Sequence, residues 1–193
     1  MTRCCMTAGS PPLPYRPYAG IGSTHTPEDV LALMVKIGAA YGRRGWTLRS
    51  GGAPGADTAF EAGCDQVGGL KEIFLPAQGF NGRSAEDGGP GRVVHAGTDQ
   101  AAMDLAKQYH PAWHRVGSRG RLNHARNGYQ ALGRDLASPV GLVICWTQGG
   151  SGRGGTGQAI RICRSRSIPV FDLAIPAVRD RFEKLILDHS TLF

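Results

Sequence analysis

Asp57 and Glu61 stand four residues apart, behind the run Ser50-Gly51-Gly52-Ala53-Pro54-Gly55-Ala56. Four residues is one helical turn, so the two carboxylates share a helix face. At that position a carboxylate can hold ribose hydroxyls or act in catalysis. The plainer roles are that Asp57 complements the helix dipole or caps free N–H groups, and that Glu61 lies on a solvated surface. The glycine run has its own chemistry. A strand entering a glycine turn that opens a helix exposes backbone N–H groups at the positive end of the helix dipole, and this geometry holds phosphate. Ser50, Gly51, Gly52, Ala53 and Gly55 are the binding candidates there. Arg49 ends the preceding strand, either to pair a phosphate bidentately or as a surface arginine.

A second glycine loop, Gly149-Gly150-Ser151-Gly152-Arg153-Gly154-Gly155-Thr156, also lies between a strand and a helix. Thr147, Gly154, Gly155, Thr156 and Gln158 are its candidate ligand residues, and Gly22 and Ser23 form a third turn after the first strand. Arg126-Asn127 falls in mid-helix, where asparagine is a weak helix former, so either ligand or helix–helix contact explains it. Trp146 either stacks a base or belongs to the core. His110 and His114 have i, i+4 spacing, but Pro111 breaks the helix that would align them, so no metal site is expected.

The elements that must position these residues alternate. Apolar runs at Tyr18 to Gly22, Trp46 to Arg49, Glu72 to Leu75, Val140 to Trp146 and Pro169 to Leu173 read as strands. Between them, 3.6-period stretches read as helices. In the first, Val30, Leu33, Met34, Ile37 and Tyr41 share one face behind Thr26 as N-cap and Pro27 at the first helical position. Further helices are expected from Ala56 to Val67, Thr98 to Tyr109, Arg121 to Leu136, Thr156 to Arg166 and Pro176 to Asp188. Ala77 to Gly97 shows no period and reads as a long loop, for which a lid over the pocket is one role. This order predicts an α/β, Rossmann-like open sheet, mostly parallel, with helices on both faces. Ligands of such sheets sit beyond the carboxyl ends of the strands. Residues 1–17 read as a flexible arm and 18–193 as one domain.

Composition narrows the class. The chain has 193 residues, 41% hydrophobic and 19% charged, which suits a globular domain with a real core. No run approaches the roughly 18 apolar residues of a membrane helix. The net charge of +7 and pI near 9.5 permit nucleotides, nucleic acid or other anions without choosing among them. The five cysteines (Cys4, Cys5, Cys64, Cys145, Cys163) form no C-x-x-C pair and read as buried thiols of a cytoplasmic protein. No cofactor is expected.

Ser50 to Asp57 resembles the S-G-G-A-x-G-x-D loop of the DNA-processing protein A (DprA, or Smf) family. Arg126-Asn127 ahead of the strand Val140 to Trp146 is similar to that family's R-N segment. Gly154-Gly155-Thr156-Gly157-Gln158 is similar to the G-G-x-G-T-x-x-E loop of the LOG phosphoribohydrolases. Both families belong to the SLOG superfamily of Rossmann-like nucleotide binders. The chain most resembles the short DprA-like proteins of phages and prophages, from about Tyr18 to Leu173. Where LOG enzymes have a glutamate, this chain offers Gln158, an amide that cannot act as a base. Asp57 and Glu61 are the substitutes if hydrolysis occurs.

Three functions follow from the resemblance. The chain binds a nucleotide or nucleotide-derived ligand through the two glycine loops and hydrolyses its N-glycosidic bond; or it binds single-stranded DNA through the basic stretch Arg115 to Arg134; or it is a non-catalytic sensor or sponge for nucleotide signals. The resemblance also implies a homo-oligomer.

Overall fold

The computed structural model describes residues 15–190. Six strands, β1 (Pro17–Gly20), β2 (Thr47–Ser50), β3 (Lys71–Leu75), β4 (Arg92–Ala96), β5 (Val143–Cys145) and β6 (Val170–Asp172), form one sheet in the order β4-β3-β2-β1-β5-β6. Every neighbouring pair is parallel. The helices are α1 (Glu28–Arg43), α2 (Ala56–Asp65), α3 (Gln100–Tyr109), α4 (Ser118–Leu132), α5 (Gly154–Ser165) and α6 (Pro176–Ser190). The chain walks outward from β1 to β4, then crosses back to lay β5 on the other side of β1. Strand order therefore reverses between β1 and β5, and the C-terminal ends of those strands diverge into a crevice.

Strand alternation divides the core between two faces. Tyr18, Leu48 and Ile144 pack with Val30, Leu33, Met34 and Ile37 of α1, Phe60 of α2 and Phe182 of α6. Ala19, Val143 and Cys145 point the other way, to Ala131 and Leu132 of α4 and Ile160 and Cys163 of α5. With helices on both faces, the central strands are apolar throughout, as the run Val143-Ile144-Cys145 shows. Helices α1 and α2 meet at glycines. A Cβ on Gly63 would overlap the Val35 carbonyl oxygen, and one on Gly38 would overlap that of Phe60.

Four local expectations change. The segment 77–97 contains strand β4, which extends the sheet beside β3. As an edge strand it buries Val94 while Val93 is 50% exposed, an alternation too short to register in sequence. Thr26 does not cap α1: its hydroxyl donates to the Ser23 carbonyl at 2.8 Å, and Pro27 occupies the cap position. Helix α4 starts at Ser118 and ends before Gly133, whose φ of 78° stops it. Of the expected arm, residues 1–14 lie outside the described residues, while Pro17 opens strand β1 and the Arg16 carbonyl accepts from the Thr47 N–H at 2.9 Å.

Cys64, Cys145 and Cys163 are free and buried; Cys4 and Cys5 lie outside the described residues. Burial pushes the Cys163 thiol up to about 12. Among the described residues, no three His, Cys, Asp or Glu side chains converge on a metal position. Nor is any helix there long and apolar enough to cross a membrane.

Candidate ligand-binding site

A cavity of about 830 Å³ opens where β1 and β5 diverge, lined by residues of both glycine loops and of α4. Of the residues singled out in the sequence, it brings together Gly22, Ser23, Ala53, Asp57, Arg126, Asn127, Thr147, Gly154, Gly155 and Thr156. Most arrive from a strand's C-terminal end or from the helix that follows, while Arg126 and Asn127 come from the middle of α4, where Asn127 bonds the Gly155 carbonyl of α5.

The two loops are not equivalent. The first is already occupied by its own side chains. Asp57 Oδ2 accepts from the Ala53 N–H at 3.4 Å and from Arg126 Nη1 at 3.2 Å, and the Ala56 N–H is taken by the Ser23 carbonyl. Gly51 is what admits Arg126, because a Cβ there would overlap the guanidinium. The second loop is open. Helix α5 begins at Gly154 with no side-chain cap, so its first-turn N–H groups have no intrahelical partner. Gly154, Gly155 and Thr156 line the cavity, with the exposed Arg153 beside them. A buried brace holds this loop: Thr147 N–H donates to Asp172 Oδ1, its hydroxyl bonds Asp172 Oδ2, and Gly152 N–H donates to that hydroxyl at 3.0 Å.

Several expected site residues are placed elsewhere. Arg49 does not reach the cavity. Its Nε donates to Glu72 at 2.7 Å, Nη1 to the Ser138 carbonyl and Nη2 to the Tyr15 hydroxyl, because Glu72 is its register partner on β3. Glu61 is neither solvated nor at the cavity; it is buried against Arg83 at 2.9 Å and Lys71 at 3.6 Å. Gln158 is fully buried beneath the cavity, where its Oε1 accepts from Asn127 Nδ2 at 3.0 Å. It positions Asn127, whose Nδ2 also reaches the Gly155 carbonyl at 3.1 Å. Ser50 donates to the Gly20 carbonyl, and Gly51, Gly52 and Gly55 shape the turn without lining the cavity. Trp146 is a core residue.

The cavity also recruits Phe80, Asn123, His124, Gln130 and Arg153. Asn123, Asn127 and Gln130 form an i, i+4, i+7 polar stripe on α4, which was the available signal; an isolated polar stripe ordinarily means a solvated face. Phe80 carries no sequence signal. Polar atoms here lack partners: Arg126 Nε, Gln130 Nε2 and Asn123 Oδ1 are buried and unbonded.

Electrostatics agree with an anion. Arg126 and Arg153 line the cavity against one carboxylate, Asp57. Burial pushes the Asp57 carboxyl above the ordinary carboxylate range, with Arg126 opposing. His124 is pushed down to about 4, first by burial and then by the His110 ring at 4.4 Å. The unfolded chain therefore binds a proton on this ring at pH values where the fold does not. Stability should fall as pH drops through the window from about 6.5 to 4, and this group costs nothing above it. Discounted for partial exposure, the loss is on the order of 1–2 kcal/mol. Urea midpoints at neutral and acid pH check it, since His124→Gln should flatten the difference.

A doubly covered parallel sheet with its crevice at the reversal of strand order is a Rossmann-like α/β fold, as the residue pattern predicted. No protein-family model and no curated protein matches the chain. Among solved structures it is similar to DNA processing protein A from Helicobacter pylori, a single-stranded DNA binder, with a TM-score of 0.54 and 13% identity over 90% of this chain and 81% of that one. It is also similar to the molybdenum cofactor carrier protein from Chlamydomonas reinhardtii, with a TM-score of 0.51 and 18% identity over 88% and 84% of the two chains. At these identities the likeness is one of fold.

Proposed function

We propose that this chain binds a nucleotide or nucleotide-derived ligand, with its phosphate at the N-terminus of α5. The carrying observation is the meeting of that uncapped helix end, Arg126 and Arg153 in one cavity. Helix dipole, free N–H groups and guanidinium charge all favour a phosphate there. The first glycine loop acts differently from the second: it locks Arg126 and Asp57 in place and leaves the anion to α5. One structural neighbour is a single-stranded DNA binder and the other a molybdenum cofactor carrier. The single-stranded DNA reading draws on the exposed Arg115, Arg119 and Arg134, but none of them lines the cavity.

A second reading, N-glycosidic hydrolysis, is favoured by Asp57 alone. Its two hydrogen bonds both fall on Oδ2, which leaves Oδ1 to steady positive charge on a ribosyl centre.

Native mass spectrometry of the purified protein, followed by thermal unfolding with a nucleoside monophosphate panel, tests both. A bound nucleotide, or a rise in Tm of about 5–10 °C at 100 times Kd, is expected. Free base in the same mixtures, abolished by Asp57→Asn, would establish hydrolysis. Neither a bound ligand nor any Tm shift across the panel would overturn the proposal.

A further inference from the structure

A cavity that selects nucleotides over other phosphates must recognise the base, and one wall is suited to that. Phe80 lines the cavity with its ring centroid 6.0 Å from the Arg126 guanidinium carbon. Among the described residues it is the one Phe, Tyr or Trp on that lining. The ring packs against the Ile73, Leu75 and Val94 cluster.

The turn carrying Phe80 is tied down. Gly79, Asn81 and Gly82 have φ of 74°, 53° and 69°, a left-handed conformation that asparagine and glycine tolerate better than other residues. Asn81 Nδ2 donates to the Gly52 carbonyl at 3.1 Å, and Arg83 Nη1 donates to Glu61 at 2.9 Å. Thus Glu61 ties the segment after Phe80 to α2, while Asn81 ties it to the first glycine loop. Gln130 is 2% exposed, with its Nε2 buried away from the cavity surface. Gly51 brings Gln130 Nε2 and the Arg126 guanidinium together, for a Cβ there would meet both.

We propose that Phe80 forms the base subsite of the ligand, taking a purine or pyrimidine ring. This rests on the nucleotide reading above and adds to it. The base stacks on the part of the Phe80 ring that lines the cavity. The phosphate reaches α5 across the cavity. An aromatic face accepts any base, so this subsite separates nucleotides from sugar phosphates without naming the base.

Isothermal titration of the full chain with adenosine monophosphate, uridine monophosphate, ribose 5-phosphate and inorganic phosphate tests it. Wild type should bind at least one of the two nucleotides more tightly than ribose 5-phosphate. Phe80→Ala should weaken that nucleotide about 10- to 100-fold, erasing its margin over ribose 5-phosphate, and Phe80→Trp should keep the margin. Phe80→Leu retains the apolar packing and loses the stack, so it should behave as Phe80→Ala does. Equal weakening of nucleotide and ribose 5-phosphate by these variants, or no weakening of either, overturns the base subsite and leaves the phosphate site standing. Failure of all four compounds to bind wild type overturns both proposals.

Discussion

Replacing Arg126 with methionine is expected to cost about 3–5 kcal/mol of folding stability, because it leaves the Asp57 carboxylate buried without its counter-charge. Asp57 is 3% exposed, and its other hydrogen bond, from the Ala53 N–H, is a long one at 3.4 Å. Urea unfolding at neutral pH measures the loss. The double variant Arg126→Met with Asp57→Asn should recover most of it, since the uncompensated charge is gone. The pH dependence carries the same signature. Burial already holds the Asp57 carboxyl above its ordinary value, and removing Arg126 raises it further. A carboxyl raised in the fold binds protons there that the unfolded chain has released, so stability falls as pH rises through its titration. Arg126→Met should therefore be most damaging at neutral pH and least in acid. An unfolding free energy equal to wild type at neutral pH would show that the pair contributes nothing.

Gly63→Ala is expected to destabilise the protein by about 1–3 kcal/mol through overpacking, although the same change in an exposed helix would stabilise it by about 1 kcal/mol. Sterics win here because the new Cβ would overlap the Val35 carbonyl oxygen and crowd the Ala39 nitrogen. Both are backbone atoms of α1 and cannot swing aside as a flexible side chain would. Helix α1 must move off α2, which opens the layer formed by Ile37, Phe60 and Cys64. Gly63→Val should go further and leave little folded protein. Thermal unfolding orders the three proteins, and an alanine variant melting above wild type would mean that the helices can separate at no cost.

The order of elements was legible because each helix and strand writes its own period. Val30, Leu33, Met34 and Ile37 were assigned to one face of α1, and all four are buried on the sheet. Local chemistry also identified the two glycine loops, and parallel topology then carries both to one rim. Long-range pairing was not legible. Arg49 seemed poised for a phosphate until the register set it opposite Glu72. Glu61 seemed a surface carboxylate until Lys71 and Arg83 closed on it from distant segments.

From its residues alone, then, this chain determined an alternating α/β architecture, the two turns able to meet an anion, and the basic charge that favours one. Only the tertiary structure decided that the first turn is filled by Asp57 and Arg126 while the second is open, and that Phe80 from a patternless stretch joins the cavity wall. The physical reason is range. Period and turn chemistry act over a few neighbouring residues, whereas which side chains neutralise or cover one another depends on strand register and on segments brought together only when the sheet forms.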